Sequence, residues 1–450
     1  MSRLTAVLCA TFVLMGAGTP AARGQQTDLD ARIEQELPSL VATYQAIHAA
    51  PELSHYEKKT SALVAARLRE LGFEVTDHLG KYNHPGWVGY GVVGVMKNGA
   101  GPTVLVRTEL DALPITEETG LPYASHVRTK DDAGREVGVM HACGHDIHIT
   151  SLLGTATVLA AMKDKWHGTL MMLAQPAEET INGARAMLDD GFYSRFPRPD
   201  YLLAMHDTAD LPAGKIGYTS GYSSASSTSV DIFVRGVGAH GSRPEASKDP
   251  VVEAAQLVLA IQTIVSREIS PFDPAVVTVG SIHGGTRYNI IPDEVHLQLT
   301  IRTYKEEVRR HILTSLERMA KGIAQADGIP ESRAPIVKVS DTEHSPALYN
   351  DPKLTERVAE ALETALGKDS VVKNPPVMAS EDFGEFGGQD HLIPLCDFSL
   401  GAVNPGKFVE AQRAGKAIPG LHTAWWAPDP ELTLRTGVKA MTSVVLDLMK

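Results

Sequence analysis

Residues 140–188 read MHACGHDIHITSLLGTATVLAAMKDKWHGTLMMLAQPAEETINGARAML, and their rhythm sets the fold class. Ile149–Lys163 carries apolar residues at helical spacing, Thr169–Leu173 is a β-rich run, and Ile181–Leu188 is helical again. The alternation extends in both directions. Upstream, Tyr90–Met96 and Thr103–Thr108 read as strands; downstream, Tyr201–Ala204 does. Strands alternating with helices predict an α/β domain on a mostly parallel sheet. Two amphipathic helices, Asp28–Ala49 and Tyr56–Leu71, stand in front of it.

The composition changes at Ser220–Ser229 (SGYSSASSTS), which is poor in core residues and reads as a linker or hinge. A second rhythm follows. Val230, Ile232 and Val234 alternate along Ser229–Arg235. Asp249-Pro250, a cap with proline at the first helical position, opens a helix to about Ile269. Val276–Ile282 and Val295–Thr303 are strands, Glu306–Ala326 is a helix and Ile336–Val339 a short strand. This β-α-β-β-α-β order is that of a ferredoxin-like α+β sandwich. Helical pattern returns at Pro352–Leu366 and Gly437–Met449. The α/β domain is therefore expected in two parts, residues 25–222 and 336–450, with residues 223–335 inserted between them.

Of the 450 residues, 43% are hydrophobic and 21% charged, enough for two or three packed domains. The net charge of −12, from 42 basic and 54 acidic residues, speaks against nucleic acid as a partner. At the N-terminus Arg3 precedes an apolar run, Leu4–Gly16, too short for a membrane span, and Ala22-Arg23-Gly24 has the small residues of a cleavage site. Residues 1–24 are expected to be an export signal and the protein periplasmic or secreted. No later segment is long and apolar enough for a stable membrane span. Cys9 would leave with the signal, so Cys143 and Cys396 allow one disulfide and no framework.

In Met140–His148 one thiol and three imidazoles fall at a strand-to-helix junction. Thiolate and imidazole suit zinc, and added carboxylates widen the choice toward manganese. A Cys–His nucleophile pair and plain packing histidines are the rival readings. Glu178 and Glu179 end the run Gln175-Pro176-Ala177-Glu178-Glu179 just after the strand Thr169–Leu173, at the strand end where open α/β sheets place their sites. Adjacent carboxylates diverge, so one can bind a metal while the other moves a proton. His206 also follows a strand, and His422 lies far along the chain; each gains meaning only by joining the set. In the inserted segment His240 sits on a glycine-rich turn, Asn289 precedes a strand, and Arg302 faces away from Val295, Leu297, Leu299 and Ile301, free to meet a carboxylate.

In this order the motifs resemble the aminoacylase/carboxypeptidase-G family of dinuclear metallohydrolases. Within it the chain is similar to the amidohydrolase branch of hippurate hydrolases, auxin–amino acid conjugate hydrolases and N-acetyldiaminopimelate deacetylases. The resemblance rests on RTELDALP at 107–114, MHACGHDIH, QPAEE, His206, GAHGSRP at 238–244, NIIPDEV at 289–295, Ser380-Glu381-Asp382-Phe383 and His422. It implies two divalent ions, zinc or manganese, held by Cys143, His145, Glu179, His206 and His422, with Cys143 bridging. It implies Glu178 as general base and His240 reaching the partner's site in a homodimer formed through the inserted lid domain. Asn289 and Arg302 would hold the substrate's carboxylate or carbonyl. Two residues depart from the branch: Glu109, where Asp is usual, and Asp207, where an uncharged residue is usual. The expected reaction is hydrolysis of an N-acyl amino acid to a carboxylic acid and an amino acid. An exported dipeptidase or carboxypeptidase is the alternative within the same chemistry. The complete ligand set argues against a binding protein on a dead scaffold, and resistance to chelators would mark a thiol hydrolase using Cys143.

Overall fold

The computed structural model describes residues 20–388 and 391–450, with side chains from Thr27 onward. The apolar run of the expected export signal, Leu4–Gly16, lies outside the described residues.

Helices α1 (Pro20–His48) and α2 (Lys58–Glu70) lead into strands β1 (Glu74–Leu79), β2 (Gly91–Asn98) and β3 (Thr103–Glu109). Then come α3 (His145–Ala161), β4 (Gly168–Gln175), α4 (Gly183–Asp189), β5 (Tyr201–Pro212) and β6 (Ile216–Tyr218). A second unit contains β7 (Ser226–Arg235), α5 (Pro250–Thr263), β8 (Ala275–Gly284), β9 (Glu294–Thr303), α6 (Glu306–Ala326) and β10 (Ile336–Ser345). The chain returns through α7 (Pro352–Leu366), β11 (Val371–Lys373), β12 (Leu395–Val403) and α8 (Pro430–Leu448).

The first and last parts share an eight-stranded sheet of order β1-β2-β4-β3-β5-β12-β6-β11. Its centre is parallel: β4 with β3, β3 with β5, and β5 with β12. Strand alternation explains why both faces are covered. Val104 and Val106 of β3 pack on the face under α1, α3 and α8, while Leu105 joins Phe383 and Phe386 on the other. Because the central strands run together, Glu109, Gln175 and His206 all come to the same end of the sheet.

The inserted unit is an antiparallel sheet of order β8-β9-β7-β10, the ferredoxin-like arrangement, with its core under α5 and α6. Two expectations shift here. The serine stretch is mostly strand, because its hydroxyls find partners: Ser226 Oγ lies 3.0 Å from Thr303 Oγ1, and Thr228 Oγ1 accepts from Arg309 Nε at 2.8 Å. The last strand does not stop at Val339, nor does the unit end at 335. Pairing with β7 carries β10 to Ser345, opposite Ser227.

Two further differences bear on the site. α3 begins at His145 rather than Ile149, so the motif itself forms its first turn. Gly144, at φ 76°, makes that start possible, since a Cβ there would fall 2.1 Å from Asp207 Oδ2. His206 lies inside β5 rather than after it. Cys143 and Cys396 are both free and buried, so the disulfide that their number allowed is not formed.

Candidate active site

Five segments meet toward the carboxyl ends of β3, β4 and β5. The loop before α3 brings Cys143, and α3 brings His145. The turn after β4 brings Glu178 and Glu179, and β5 brings His206. His422 comes from a late loop pinned to the motif by its own backbone, where His422 N–H donates to Ala142 O at 2.7 Å. Cys143 Sγ lies 3.1 Å from His422 Nε2 and 3.5 Å from His206 Nε2. Donor atoms of Cys143, His145 and His206 lie within 4.8 Å of one another, and so do those of Cys143, Glu179 and His422. The two groups share one atom, the Cys143 sulfur, and together contain all five expected ligands. Glu178 stands at their edge, its Oε2 3.8 Å from His145 Nε2.

The donors are prepared for cations. His145 Nδ1 is 2.8 Å from Asp111 O and His206 Nδ1 is 2.8 Å from Asp207 O. Each ring can thus donate its Nδ1 proton to a backbone carbonyl, which turns the Nε2 lone pair into the cluster. His145 Nε2 and Glu179 Oε1 are buried without a hydrogen-bond partner, 3.9 Å apart. Buried polar atoms are rarely left so. The donor set and these unpartnered atoms fit a pair of divalent ions.

The electrostatics agree. Burial, then the charges of Glu381, Glu179 and Asp382, hold the Glu178 carboxyl well above the usual carboxylate range. Burial pushes Glu179 up to about 7. Burial and the nearby Glu179 and Glu178 raise the Cys143 thiol. For His145 burial opposes the charge, but the hydrogen bond to Asp111 and the charge of Glu109 lift it to about 10, so a divalent ion at Nε2 would take the place of a proton there. Acidic groups in a low dielectric draw positive charge to this point.

A supporting layer surrounds the donors. Asp111 Oδ2 accepts from Ser54 Oγ at 2.6 Å and from Glu179 N at 3.0 Å. The two departures noted in the sequence meet on one imidazole. His148 Nδ1 is 2.8 Å from Glu109 Oε2, and Asp207 N donates to His148 Nε2 at 2.8 Å, so Nδ1 carries the proton. Arg107 binds Glu109, Glu381 and Asp382 in a fully buried cluster.

The three candidates of the inserted unit lie elsewhere. His240 and Asn289 are neighbours, since Gly241 N donates to Asn289 O at 2.8 Å. His240 is exposed, with Nδ1 2.7 Å from Ser242 Oγ. Arg302 contacts Ser227 on the polar sheet face. Among the described residues, no hydrogen bond or ion pair joins these three to the donor cluster.

Asp111, Glu381 and Asp382 lie in motifs that carried the resemblance, yet motif order alone assigned them no role. Asp111 is two residues beyond a strand end, in register to face the same site as Glu109. That spacing was the available clue.

A model of peptidase family M20/M25/M40 matches residues 105–412. Hippurate hydrolase of Campylobacter jejuni is 38% identical over 342 residues, which is 76% of this chain and 82% of that protein. N-acetyl-L-cysteine deacetylase of Bacillus subtilis is 34% identical over 350 residues, 77% of each chain. The crystal structure of the Bacillus subtilis YXEP protein, a dinuclear metal-binding peptidase of the M20 family, matches with TM-score 0.72 at 27% identity. It covers 92% of this chain and 99% of that one.

Proposed function

The chain belongs to peptidase family M20/M25/M40, and from that membership we propose that it hydrolyses the amide bond of N-acyl amino acids at a dinuclear centre. The observation that carries this reading is the pair of donor groups sharing Cys143, with Glu178 at their edge. Cys143, His145, Glu179, His206 and His422 hold the ions, zinc or manganese. Bound there, divalent ions acidify water and polarise an amide carbonyl.

The protein's own groups do the rest. Glu178 is buried at the edge of the donor groups, its Oε2 3.8 Å from His145 Nε2, a place from which a carboxylate can take a proton from water and return it to the leaving amine. Asn289 and Arg302 bind the carboxylate or carbonyl of the substrate, and Arg302 offers a planar fork for it. His240 reaches the site of a second copy and donates to the developing oxyanion. The inserted unit, residues 223–335 as read from sequence and extended by β10, thereby serves as lid and dimer contact. Export to the periplasm or outside rests on residues 1–24 alone.

The test is a substrate panel. Metal-free protein is assayed with N-benzoyl, N-acetyl and longer N-acyl amino acids beside dipeptides, before and after zinc or manganese is added. The reading expects no turnover without metal and preference for N-acyl amino acids with it. Full activity without metal overturns the dinuclear centre; preference for dipeptides makes the protein a dipeptidase.

A further inference from the structure

The turn that carries Glu178 and Glu179 is bounded by two non-glycine residues in left-handed backbone, Ala177 at φ 51° and Ile181 at φ 56°. A β-branched residue there is a genuine outlier, and such conformations persist only where the surroundings hold them. The turn is also tight: a Cβ at Gly183 would fall 1.6 Å from Pro176 O. Its internal bonds, Ile181 N–H to Glu178 O at 2.7 Å and Gly183 N–H to Ala177 O at 3.1 Å, close the loop but anchor it to nothing.

Asp111 Oδ2 takes Glu179 N–H and Asp382 Oδ2 takes Ala184 N–H, and a four-residue segment between α1 and α2 completes the anchorage. Ser54 Oγ donates to Asp111 Oδ2, the same oxygen that receives Glu179 N–H. His55 Nε2 lies 3.2 Å from Asn182 Oδ1. Glu57 Oε1 accepts from Ala177 N–H at 2.7 Å. The segment is itself constrained, with His55 at φ 70° and its ring stacked on Trp87 at 3.6 Å. Glu57 stands at the N-cap of α2, yet its side chain caps nothing there. Glu52 takes the first amides of that helix instead, Lys59 N and Thr60 N, each at 2.8 Å. The Glu57 side chain is fully buried, and its Oε1 is given to the turn.

We propose that Ser54–Glu57 is a clasp for the Glu178–Glu179 turn, and that Glu57 is a positioning residue that holds Ala177 in its left-handed conformation. The proposal rests on the reading of Glu178 as proton carrier and Glu179 as metal ligand. Without the clasp, Ala177 relaxes and both carboxylates shift; misplacement of about 1 Å is enough to cost roughly 10²-fold in rate.

The test is a double-mutant cycle. Glu57→Leu removes the acceptor, and Ala177→Gly removes the strain that the acceptor holds. Glu57→Leu is expected to lower kcat about 10²-fold with KM little changed. It is expected to weaken zinc or manganese affinity about tenfold, as loss of an outer-shell partner does. Adding Ala177→Gly is expected to recover about tenfold of the kcat loss, because glycine takes a positive φ freely. Glu57→Gln keeps an oxygen acceptor and should keep most of both properties. A folded Glu57→Leu protein with native kcat and metal affinity overturns the proposal, as does a double variant no better than Glu57→Leu. If Glu57→Leu does not fold, Glu57→Asp, which withdraws the acceptor by one methylene, replaces it; the same losses are then expected, and native kcat and metal affinity overturn the proposal in the same way. Glu178→Gln is measured alongside. Should it keep full activity, the reading of the turn fails, while metal affinity still decides the clasp.

Discussion

Glu178 and Glu179 are chain neighbours, both buried and both close to His145 Nε2, so substitution has to separate their roles. Glu179 lies 3.5 Å from His422 and near the Cys143 thiol, inside the donor set. Glu178 is raised first by burial and then by the charges of Glu381, Glu179 and Asp382, with Arg107 acting against them. Glu178→Gln keeps the shape and loses the proton carrier. Metal content by elemental analysis should stay native while kcat falls by about 10²-fold or more. Loss of metal in that variant would mean the two roles are reversed. Cys143→Ser is the complementary case. Its sulfur is the atom common to both donor groups, and a hydroxyl is a far poorer anionic ligand. Occupancy of both ions should fall; native occupancy would show that the sulfur does not bridge them. Cysteine and histidine were legible in the sequence because clustered thiol and imidazole seldom occur without a task. Asp111, Asp382 and Glu57 were not legible in the same way. Acidic residues at loop and helix starts are common, and only the fold shows that these three are buried and aimed at one turn.

Secondary elements carry this site, and their docking can be tested without touching it. His48 at the end of α1 lies 2.6 Å from Asp146 Oδ2, in the first turn of α3, and 3.0 Å from Glu117 Oε1. Burial disfavours its charge, but hydrogen bonds to Asp146 and Glu117 lift it to about 10. Both carboxylates are correspondingly lowered, although burial works against them. For a group raised in the folded state, stabilisation is complete below its unfolded value, about 6.5, and is lost as pH rises through about 10. The carboxylates act in the opposite sense, losing their contribution only at acid pH. Urea unfolding should therefore show stability declining from pH 6.5 toward 10, by an amount on the order of a few kcal/mol. His48→Gln should make that decline shallower, since His145 and His148 are raised over the same range and keep part of it; an unchanged slope would show that this contact does not contribute. Packing between helices gives a second test. A Cβ at Gly154 of α3 would meet Val438 Cγ2 at 2.6 Å and Leu40 Cδ1 at 3.0 Å. Gly154→Ala gains about 1 kcal/mol of helix propensity. Overpacking costs about 1–3 kcal/mol. The net should be a lower midpoint in thermal unfolding, and a higher one would show that α1 and α8 yield easily. Helix periodicity revealed α6 and α7 to the residue, because one apolar face is buried and the other solvated. It missed the start of α3, where the residues that begin the helix are the metal-type side chains themselves.

Across the whole molecule, the two-unit plan was legible because the strand–helix order changes from an α/β alternation to β-α-β-β-α-β. The crossings were not. Serine reads as linker, yet here its hydroxyls pair across strands and continue β7 to Ser226. What the plan leaves open within one chain is the part played by His240. It is exposed on the inserted unit, beside Asn289 and apart from the donor cluster. The same unit exposes Leu259, Phe272, Ile282 and Tyr288. The dimer proposed above would have one chain's His240 serve the other's Glu178. The proposed dimer predicts complementation. A His240→Ala homodimer lacks the oxyanion donor at both sites, and a Glu178→Gln homodimer lacks the proton carrier at both. In the mixed dimer, the site with a native Glu178 belongs to the His240→Ala chain and receives the intact His240 of its partner. Mixing the two inactive proteins under conditions that exchange subunits should therefore restore activity, up to one working site per mixed dimer. Exchange is followed independently, by mass of differently labelled chains. Exchange without recovery would place His240 in the service of its own chain, and a fully active monomer would remove the dimer from the mechanism altogether.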